Sequence, residues 1–478
     1  MPANILFLCT DQQRHDTLGA SGNPHIWTPH LDHLCESGVR FSRAYTDAPV
    51  CAPARATMLT GRHWWNFPRG YGNFGQTSVP PHWETFPALL TRNGYQTRLV
   101  GKAHYHPERC HFGWEGMEIL EDYYREMAKN GRETPMNHGL GQNEMAPALA
   151  TTSANDSLTH WTTQRALNFL ETRDPTRPFC LKVSYSKPHP PFDPPLEFWK
   201  LYENADVPEA ILGDWSQNAD EIAPALMQPT WSLNGADRFS SAQIRQIRRA
   251  YYALITQIDY SIGHILGRLR ELDLLDDTLI VFTSDHGEML GDHHMGAKTT
   301  FLEGAAHIPM ILRPPANSPL KRGATCDEIV CLADLLPTFC AAAGLDASQI
   351  PANDGHDLAQ LASGETGRKF LVGRCSNFHA VIEKRWKLIW NERGGAQLLF
   401  DLANDPHETR DQSQNPECAA PLRRLRAILA QTLEETHHPA AQNGELISTG
   451  EAQNRDEVRQ NAWLGLHTIS GTRHDVLH

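Results

Sequence analysis

The chain has 478 residues, of which 40% are hydrophobic and 21% charged, and its formal net charge is -13 at pH 7. This composition excludes a largely disordered chain, and the length allows one large α/β domain with a smaller appendage. The acidic balance and the absence of dense Lys/Arg runs argue against a nucleic-acid partner, which needs a broad basic face. The same charge repels long polyanions and favours a small or terminal anionic substrate.

The first apolar run, at residues 5–9, has no basic segment before it and is too short for a signal peptide. It predicts a buried strand. No later segment reaches a membrane-spanning length, so the sequence predicts a cytoplasmic protein without a membrane partner. The ten cysteines include no CxxC pair, which argues against a thiolate zinc site.

Further along the chain, strand-like runs alternate with helical patterns. Strands are predicted at 179–185 and 278–284, and helices at 83–93, 157–171 and 244–269. This alternation predicts a largely parallel sheet with helices on both faces. Ligands gather beyond the carboxyl ends of such strands, where this sequence places Asp11 and Asp285.

A polar, glycine-containing stretch at 362–369 predicts a domain boundary. We therefore expect a catalytic domain at 1–365 and a small C-terminal domain at 366–478, which ends in a polar tail. Stretches at about 125–155 and 204–236 lack clear periodicity and are interpreted as surface insertions.

Cys51 opens a predicted helix in which Pro53 suits the first turn and Gly61 the end. The helix N-terminus favours an anion beside Cys51, and Arg55 adds a positive charge one turn along the same face. A Cys-x-Pro-x-Arg pattern arises by chance on the order of a few per cent of the time, so alone it is only suggestive.

These residues also carry a resemblance to a known family. Cys51, Pro53 and Arg55 resemble the signature of the type I sulfatases of the alkaline phosphatase superfamily, in which the cysteine is oxidised to formylglycine. Further motifs agree with the family in order, namely Asn4-Ile5-Leu6-Phe7, Thr10-Asp11-Gln12, Gly38-Val39-Arg40-Phe41, Leu59-Thr60-Gly61-Arg62, Gly101-Lys102-Ala103-His104, Asp285-His286-Gly287-Glu288, Lys298, Trp386-Lys387-Leu388-Ile389 and Leu399-Phe400-Asp401-Leu402. The resemblance covers most of the chain. It implies an alkaline-phosphatase-like α/β fold, with a large mixed sheet flanked by helices and a small C-terminal α+β domain of a four-stranded antiparallel sheet and a helix.

The resemblance implies a sulfatase that cleaves aryl, sugar or small alkyl sulfate esters, with a formylglycine-generating maturation enzyme as a partner. A hydrated formylglycine offers two hydroxyls, one to attack sulfur and one to expel sulfate later. By resemblance, Lys102 contacts a sulfate oxygen, His104 hydrogen-bonds the diol, and His189 with Lys298 lies near the leaving-group oxygen. Two further residues are candidates for the substrate pocket, with plain packing as the equal alternative: Asn73 and Tyr105.

A divalent metal is predicted from Asp11, Gln12, Asp285 and His286, together with the nucleophile at Cys51. Carboxylate and amide oxygens suit a hard cation, which would lower the pKa of the nucleophilic hydroxyl. Calcium is the first choice. Many sulfatases have an aspartate at the position of Gln12, and often an asparagine at the position of His286. The imidazole nitrogen of His286 gives weight to magnesium or manganese.

Two alternatives stay open. Gln12 is also similar to the related phosphonate monoester hydrolases, so cleavage of phosphonate monoesters or phosphodiesters is one alternative, whereas Lys102 and His104 favour sulfate esters. The other is a catalytically silent sulfoglycan-binding protein, against which the intact set of catalytic candidates argues. The alcohol part of the substrate and the oligomeric state, including a homo-oligomer, stay open.

Overall fold

The structure is a computed structural model that describes residues 2–68, 70–71, 77–132, 140–141, 143–218, 222, 226 and 236–451. The strands within these residues are β1 (Asn4–Asp11), β2 (Val39–Tyr45), β3 (Gln96–Gly101), β4 (Gly116–Ile119), β5 (Phe179–Pro188), β6 (Thr278–Ser284), β7 (Met310–Arg313), β8 (Ala324–Cys331), β9 (Phe370–Cys375), β10 (Phe378–Glu383), β11 (Trp386–Asn391), β12 (Gln397–Asp401), β13 (Ala441–Gln442) and β14 (Glu445–Leu446). The α-helices are α1 (Pro29–Ser37), α2 (Cys51–Thr60), α3 (Phe86–Arg92), α4 (Leu120–Lys129), α5 (Leu158–Thr172), α6 (Leu196–Tyr202), α7 (Ser241–Glu271), α8 (Glu303–Ala306), α9 (Leu335–Ala342), α10 (Leu358–Ala362) and α11 (Ala419–Glu435).

The first eight strands form one mixed sheet in the order β4-β3-β5-β1-β6-β7-β2-β8. Neighbouring strands run parallel except at β7, which is antiparallel to both β6 and β2. The predicted large mixed sheet is therefore confirmed. Because β3, β5, β1 and β6 are consecutive neighbours, the polar residues that follow these strands meet at one edge of the sheet.

Strand β1 is buried on both faces, as its unbroken apolar run requires. Ile5 and Phe7 face one core, where helices α2, α3 and α9 pack, while Leu6 and Leu8 face a second core with α1, α5 and α7. Each fully buried large apolar side chain contributes about 1.5–3 kcal/mol. The two cores hold the sheet rigid behind its carboxyl edge.

Strands β9 to β12 form a separate antiparallel sheet in the order β12-β11-β10-β9. One face packs on α11 through Leu425, Leu429 and Leu433, and the other packs on the catalytic part of the chain around Phe301. At Gly373 the approach is so close that a Cβ would come within 2.2 Å of the Phe301 ring. The expected C-terminal antiparallel sheet is confirmed, whereas the boundary between residues 365 and 366 stays a prediction.

The stretch at 125–155, which was predicted as a surface insertion, begins within a helix. Helix α4 overlaps the stretch at 125–155, because Tyr123 and Met127 share an apolar face that packs on Trp161. Within the described ranges, no helix combines the length and apolarity needed to cross a membrane.

Candidate active site

Helix α2 directs Cys51 toward the carboxyl edge of the sheet. The helix begins at Cys51 and ends where Gly61 adopts the left-handed conformation (φ 62°), which glycine adopts without strain. Cys51 is 3% exposed, and its Sγ lies 3.1 Å from His286 Nε2 and 3.7 Å from Asp11 Oδ1. The Sγ atom stands where one oxygen of a formylglycine diol would lie.

Arg55 lies one turn further along α2 and is fully buried. Its Nη2 donates to Asp11 Oδ2 and its Nε to Asp285 Oδ2, each at 2.9 Å. Its Nη1 donates to the Lys102 carbonyl and to Ser184 Oγ, also at 2.9 Å. The guanidinium therefore holds the outer oxygen of each aspartate, which leaves the Oδ1 atoms facing Cys51 and His286.

Asp11, Cys51, Asp285 and His286 form a possible ligand set, because one ligand atom from each lies within 4.8 Å of all the others. His286 Nδ1 donates to the Gly287 carbonyl at 2.9 Å, so the neutral ring carries its lone pair on Nε2, which faces Cys51. Burial acts to lower the pKa of His286, but Asp285 and Cys51 raise it, so a cation would take the place of a proton on Nε2. Burial acts to raise the pKa of Asp11, but Lys102 and Arg55 lower it below its ordinary range. An ionised carboxylate, a second carboxylate and an imidazole lone pair fit a divalent cation.

Gln12 lies beside this set in the left-handed region (φ 69°), where a residue with a Cβ is strained. Its backbone N–H donates to Asp285 Oδ1 at 3.0 Å, and its carbonyl accepts from Tyr251 Oη at 2.6 Å. Its side-chain Oε1 accepts from Lys298 Nζ at 2.6 Å. The surrounding structure thus fixes both the backbone and the amide of Gln12.

Lysines surround the nucleophile position. Lys102 Nζ lies 2.8 Å from Asp11 Oδ2, and Lys298 Nζ lies 3.1 Å from His189 Nε2. Burial acts to raise the pKa of the Cys51 thiol, but Lys298, Lys102 and His286 lower it well below its ordinary value. The N-terminus of α2 therefore opens into a positively charged pocket suited to an anion.

His189 follows β5, and the backbone of the next residue fixes the orientation of its ring. Its Nδ1 donates to the Pro190 carbonyl at 2.8 Å, which leaves Nε2 to accept from Lys298. Burial, then the charges of Lys298 and Lys102, lower the pKa of His189 to about 4. At neutral pH His189 is therefore neutral, and its Nε2 offers a lone pair to Lys298 Nζ.

Comparison with known proteins decides the family. The sulfatase family profile matches residues 3–345 of the chain. The chain belongs to the sulfatase family. An arylsulfatase of Clostridium perfringens is 32% identical over 470 residues, which cover 91% of this chain and 95% of that protein. A choline-sulfatase of Rhizobium meliloti is 29% identical over 86% of this chain and 83% of its own.

Solved structures share the fold of this sulfatase. The phosphonate monoester hydrolase of Agrobacterium radiobacter superposes with a TM-score of 0.77 at 24% identity, over 91% of this chain and 95% of that one. The predicted membership of the sulfatase family within the alkaline phosphatase superfamily is confirmed, and so is the prediction of a sulfuric ester hydrolase. Sulfatases generally use a metal ion and a formylglycine.

The other residues predicted from the sequence agree with their expected roles to different degrees. β3 ends at Gly101 and His104 adopts φ 51°, so Lys102 and His104 lie in the loop that follows this strand. A hydrogen bond from His104 nevertheless helps to lower the pKa of Cys51, after burial and the nearby cations. Tyr105 is 6% exposed and packs in the core against Phe112, which favours the packing alternative. Asn73 lies outside the described residues.

Sequence reasoning missed the residues that support this site. Ser184 and Tyr251 bind Arg55 and Gln12, but a serine in a strand and a tyrosine in a helix give no signal of such a role. Glu288 was part of a quoted motif without an assigned function. It is fully buried and binds the Gln12 amide.

Proposed function

We propose that this chain hydrolyses sulfate esters of phenols, small alcohols or terminal sugars, with a formylglycine made from Cys51 and one divalent cation. The observation that carries the proposal is the position of Cys51 Sγ, 3.1 Å from His286 Nε2 and 3.7 Å from Asp11 Oδ1, within a pocket that also contains Lys102 and Lys298. A nucleophile beside metal-ligand atoms and cations suits attack on a sulfate ester.

The cation would be held by Asp11, Gln12, Asp285, His286 and the oxygen at position 51. When bound, it withdraws charge from the nucleophilic oxygen and from a sulfate oxygen. Calcium remains our first choice, and His286 keeps magnesium and manganese in consideration. Arg55 would hold Asp11 and Asp285 in place and keep its predicted fixed positive charge near the nucleophile.

The hydrated formylglycine supplies one oxygen that attacks sulfur and a second hydroxyl whose deprotonation releases the sulfate. His104 would hydrogen-bond this diol, which is supported by its contribution to the lowered pKa of the Cys51 thiol. Lys102 and Lys298 bind the sulfate oxygens. Their positive charges would stabilise the negative charge that develops on those oxygens in the transition state.

The departing alcohol takes a proton as its bond to sulfur breaks. His189 and Lys298 form the pair that supplies it, since their nitrogens are 3.1 Å apart. In this pair Lys298 Nζ would give a proton to the neutral His189 at Nε2, and Nε2 would pass that proton to the departing oxygen, which leaves Lys298 neutral and the alcohol protonated.

Three further proposals concern the cellular compartment and the partners of the enzyme. All ten cysteines are free thiols, which supports a reducing compartment such as the cytoplasm. Conversion of Cys51 requires a maturation enzyme that acts on this segment. Small sulfate esters are the proposed partners, as the relatives named arylsulfatase and choline-sulfatase suggest.

Phosphonate monoester hydrolysis is the second candidate function, favoured by Gln12 and by the fold of the phosphonate monoester hydrolase. A substrate panel separates the two. Protein co-produced with a formylglycine-generating enzyme is assayed on an aryl sulfate, choline sulfate, a sugar sulfate and a phosphonate monoester. We expect the highest kcat/KM on a sulfate ester. A higher value on the phosphonate monoester would overturn this assignment, and the ranking among the sulfates identifies the alcohol.

A further inference from the structure

The side-chain amide of Gln12 is held between two groups of opposite hydrogen-bonding character. Its Nε2 donates to Glu288 Oε2, and its Oε1 accepts from Lys298 Nζ at 2.6 Å. An ionised carboxylate only accepts and an ammonium only donates. The two partners therefore leave one orientation of the amide, in which the nitrogen faces Glu288 and the oxygen faces Lys298.

Glu288 is itself fixed at several points. It is fully buried, and its second oxygen, Oε1, accepts the backbone N–H groups of Leu290 and Ala297. Ala297 adopts φ 61° and directly precedes Lys298. One carboxylate thus anchors the Gln12 amide and also the backbone that carries Lys298 into the site.

We propose that Glu288 is a positioning residue of the metal site, which fixes the Gln12 amide so that its oxygen, and not its nitrogen, is offered to the cation. This inference rests on the proposed function, because the cation is the one assigned to Asp11, Asp285 and His286. An amide nitrogen cannot ligate a metal ion as the carbonyl oxygen does, so an inverted amide would remove a ligand.

The pairing also explains why glutamine occupies position 12. A glutamate there, which has the same length, would face the buried Glu288 carboxylate at hydrogen-bond distance, and two like charges in a buried site oppose each other. Glutamine donates to Glu288 and still offers an oxygen. Gln12 and Glu288 are therefore a matched pair, although 276 positions separate them in the chain.

Glu288→Gln tests this pairing. The new side chain can still accept the N–H groups of Leu290 and Ala297, but its own amide N–H then points at Gln12. The Gln12 amide should invert and present its nitrogen to the cation. We expect Kd for Ca²⁺, measured by calorimetric titration of metal-stripped protein, to rise by about 10–100-fold, the usual effect of losing a partner that orients a metal ligand.

A second substitution distinguishes positioning from general damage. In the double variant that combines Gln12→Glu with Glu288→Gln, the two side chains exchange their end groups at equal length, so the carboxylate introduced at position 12 accepts from the amide introduced at position 288 and offers an ionised oxygen to the cation. We expect the Kd to return to within about threefold of the wild-type value, because both hydrogen-bonding partners are matched again. A wild-type Kd in Glu288→Gln, or a double variant no better than the single one, would overturn the inference.

Asp259→Asn is the matched control. Asp259 is also fully buried and accepts two backbone N–H groups, from His30 and Leu31, but it binds no residue of the site. We expect its Kd to equal that of the wild type. A loss as large as that of Glu288→Gln would attribute the effect to stability and overturn the positioning role. Wild-type protein that binds no divalent cation would instead overturn the proposed metal site itself, and this inference with it.

Discussion

Two buried lysines lie in different electrostatic surroundings. Lys298 follows β6 of the eight-stranded sheet, and Lys387 belongs to the four-stranded C-terminal sheet. Lys387 in β11 is fully buried and binds the Phe301 carbonyl at 2.9 Å and the carboxylates of Glu303 and Glu408. Burial acts to lower the pKa of Lys387, but these two carboxylates raise it. Lys298 is 5% exposed, and its contacts are the Gln12 oxygen and the neutral His189.

The difference shows how to separate a structural charge from a functional one. Lys387 is compensated, because two carboxylates surround one ammonium and complete a buried ion pair between the two sheet regions. Among the described residues, Lys298 Nζ hydrogen-bonds the neutral Gln12 and His189, so its positive charge remains available to an anion. A buried lysine whose hydrogen-bond partners are neutral therefore suits the place where a sulfate group would bind.

The largest expected effect on activity comes from removing the nucleophile at position 51, which lies near Lys298. Cys51→Ala, and wild-type protein made without the maturation enzyme, should each lose about 10⁴-fold or more in kcat/KM, because the diol is absent. Peptide mass spectrometry should show a thiol at position 51 in the unmatured protein and formylglycine in the active one. A fully active preparation that retains the Cys51 thiol would contradict the mechanism.

Neutralising each lysine should separate the two roles. Lys298→Met should lower kcat/KM by about 10²–10³-fold, the usual cost of one charge-stabilising group, with a small change in stability. Lys387→Met leaves Glu303 and Glu408 buried without a counter-charge and should lower the free energy of unfolding by about 3–5 kcal/mol. Denaturant unfolding and steady-state kinetics on both variants measure the two effects.

The comparison holds only if each variant spares the other property. Lys387→Met, assayed well below its unfolding midpoint, should keep its kcat/KM within a few-fold of the wild type. If Lys298→Met were instead the more destabilised protein and kept its activity, Lys298 would have the structural role and its assignment to sulfate binding would be wrong.

Local patterns in the sequence predicted several residues of this site. The residues that were missed have partners far away along the chain. Asp11 and Asp285 were predicted at one sheet edge because each follows a strand-like apolar run, and the adjacency of β1 and β6 brings them together. Helical spacing placed Arg55 on the face of Cys51, but only tertiary packing shows that its guanidinium turns to both aspartates. Glu288 had no readable role, because its partner Gln12 is 276 residues away.

The smallest expected effect is also the most selective, and it concerns the neighbour of Lys298. His189→Ala should slow an alkyl or sugar sulfate about 100-fold more than an activated aryl sulfate, because an alkoxide needs a proton in the transition state and an aryl oxide needs little help. The pKa of His189, lowered to about 4 by burial and the nearby lysines, keeps the imidazole neutral at assay pH. Its Nε2, which accepts a hydrogen bond from Lys298, can then take a proton from that ammonium and pass it to the departing oxygen.

His189→Gln distinguishes proton transfer from simple support of Lys298. Glutamine offers an acceptor oxygen to the ammonium but cannot carry a proton onward at neutral pH. If His189 takes part in proton transfer, both variants lose activity selectively on the alkyl or sugar sulfate. If glutamine restores wild-type rates on that substrate, His189 only orients Lys298, and the ammonium itself protonates the alcohol. Equal losses on alkyl and aryl sulfates would remove His189 from the leaving-group step, because a group that only binds the sulfate affects both substrates alike.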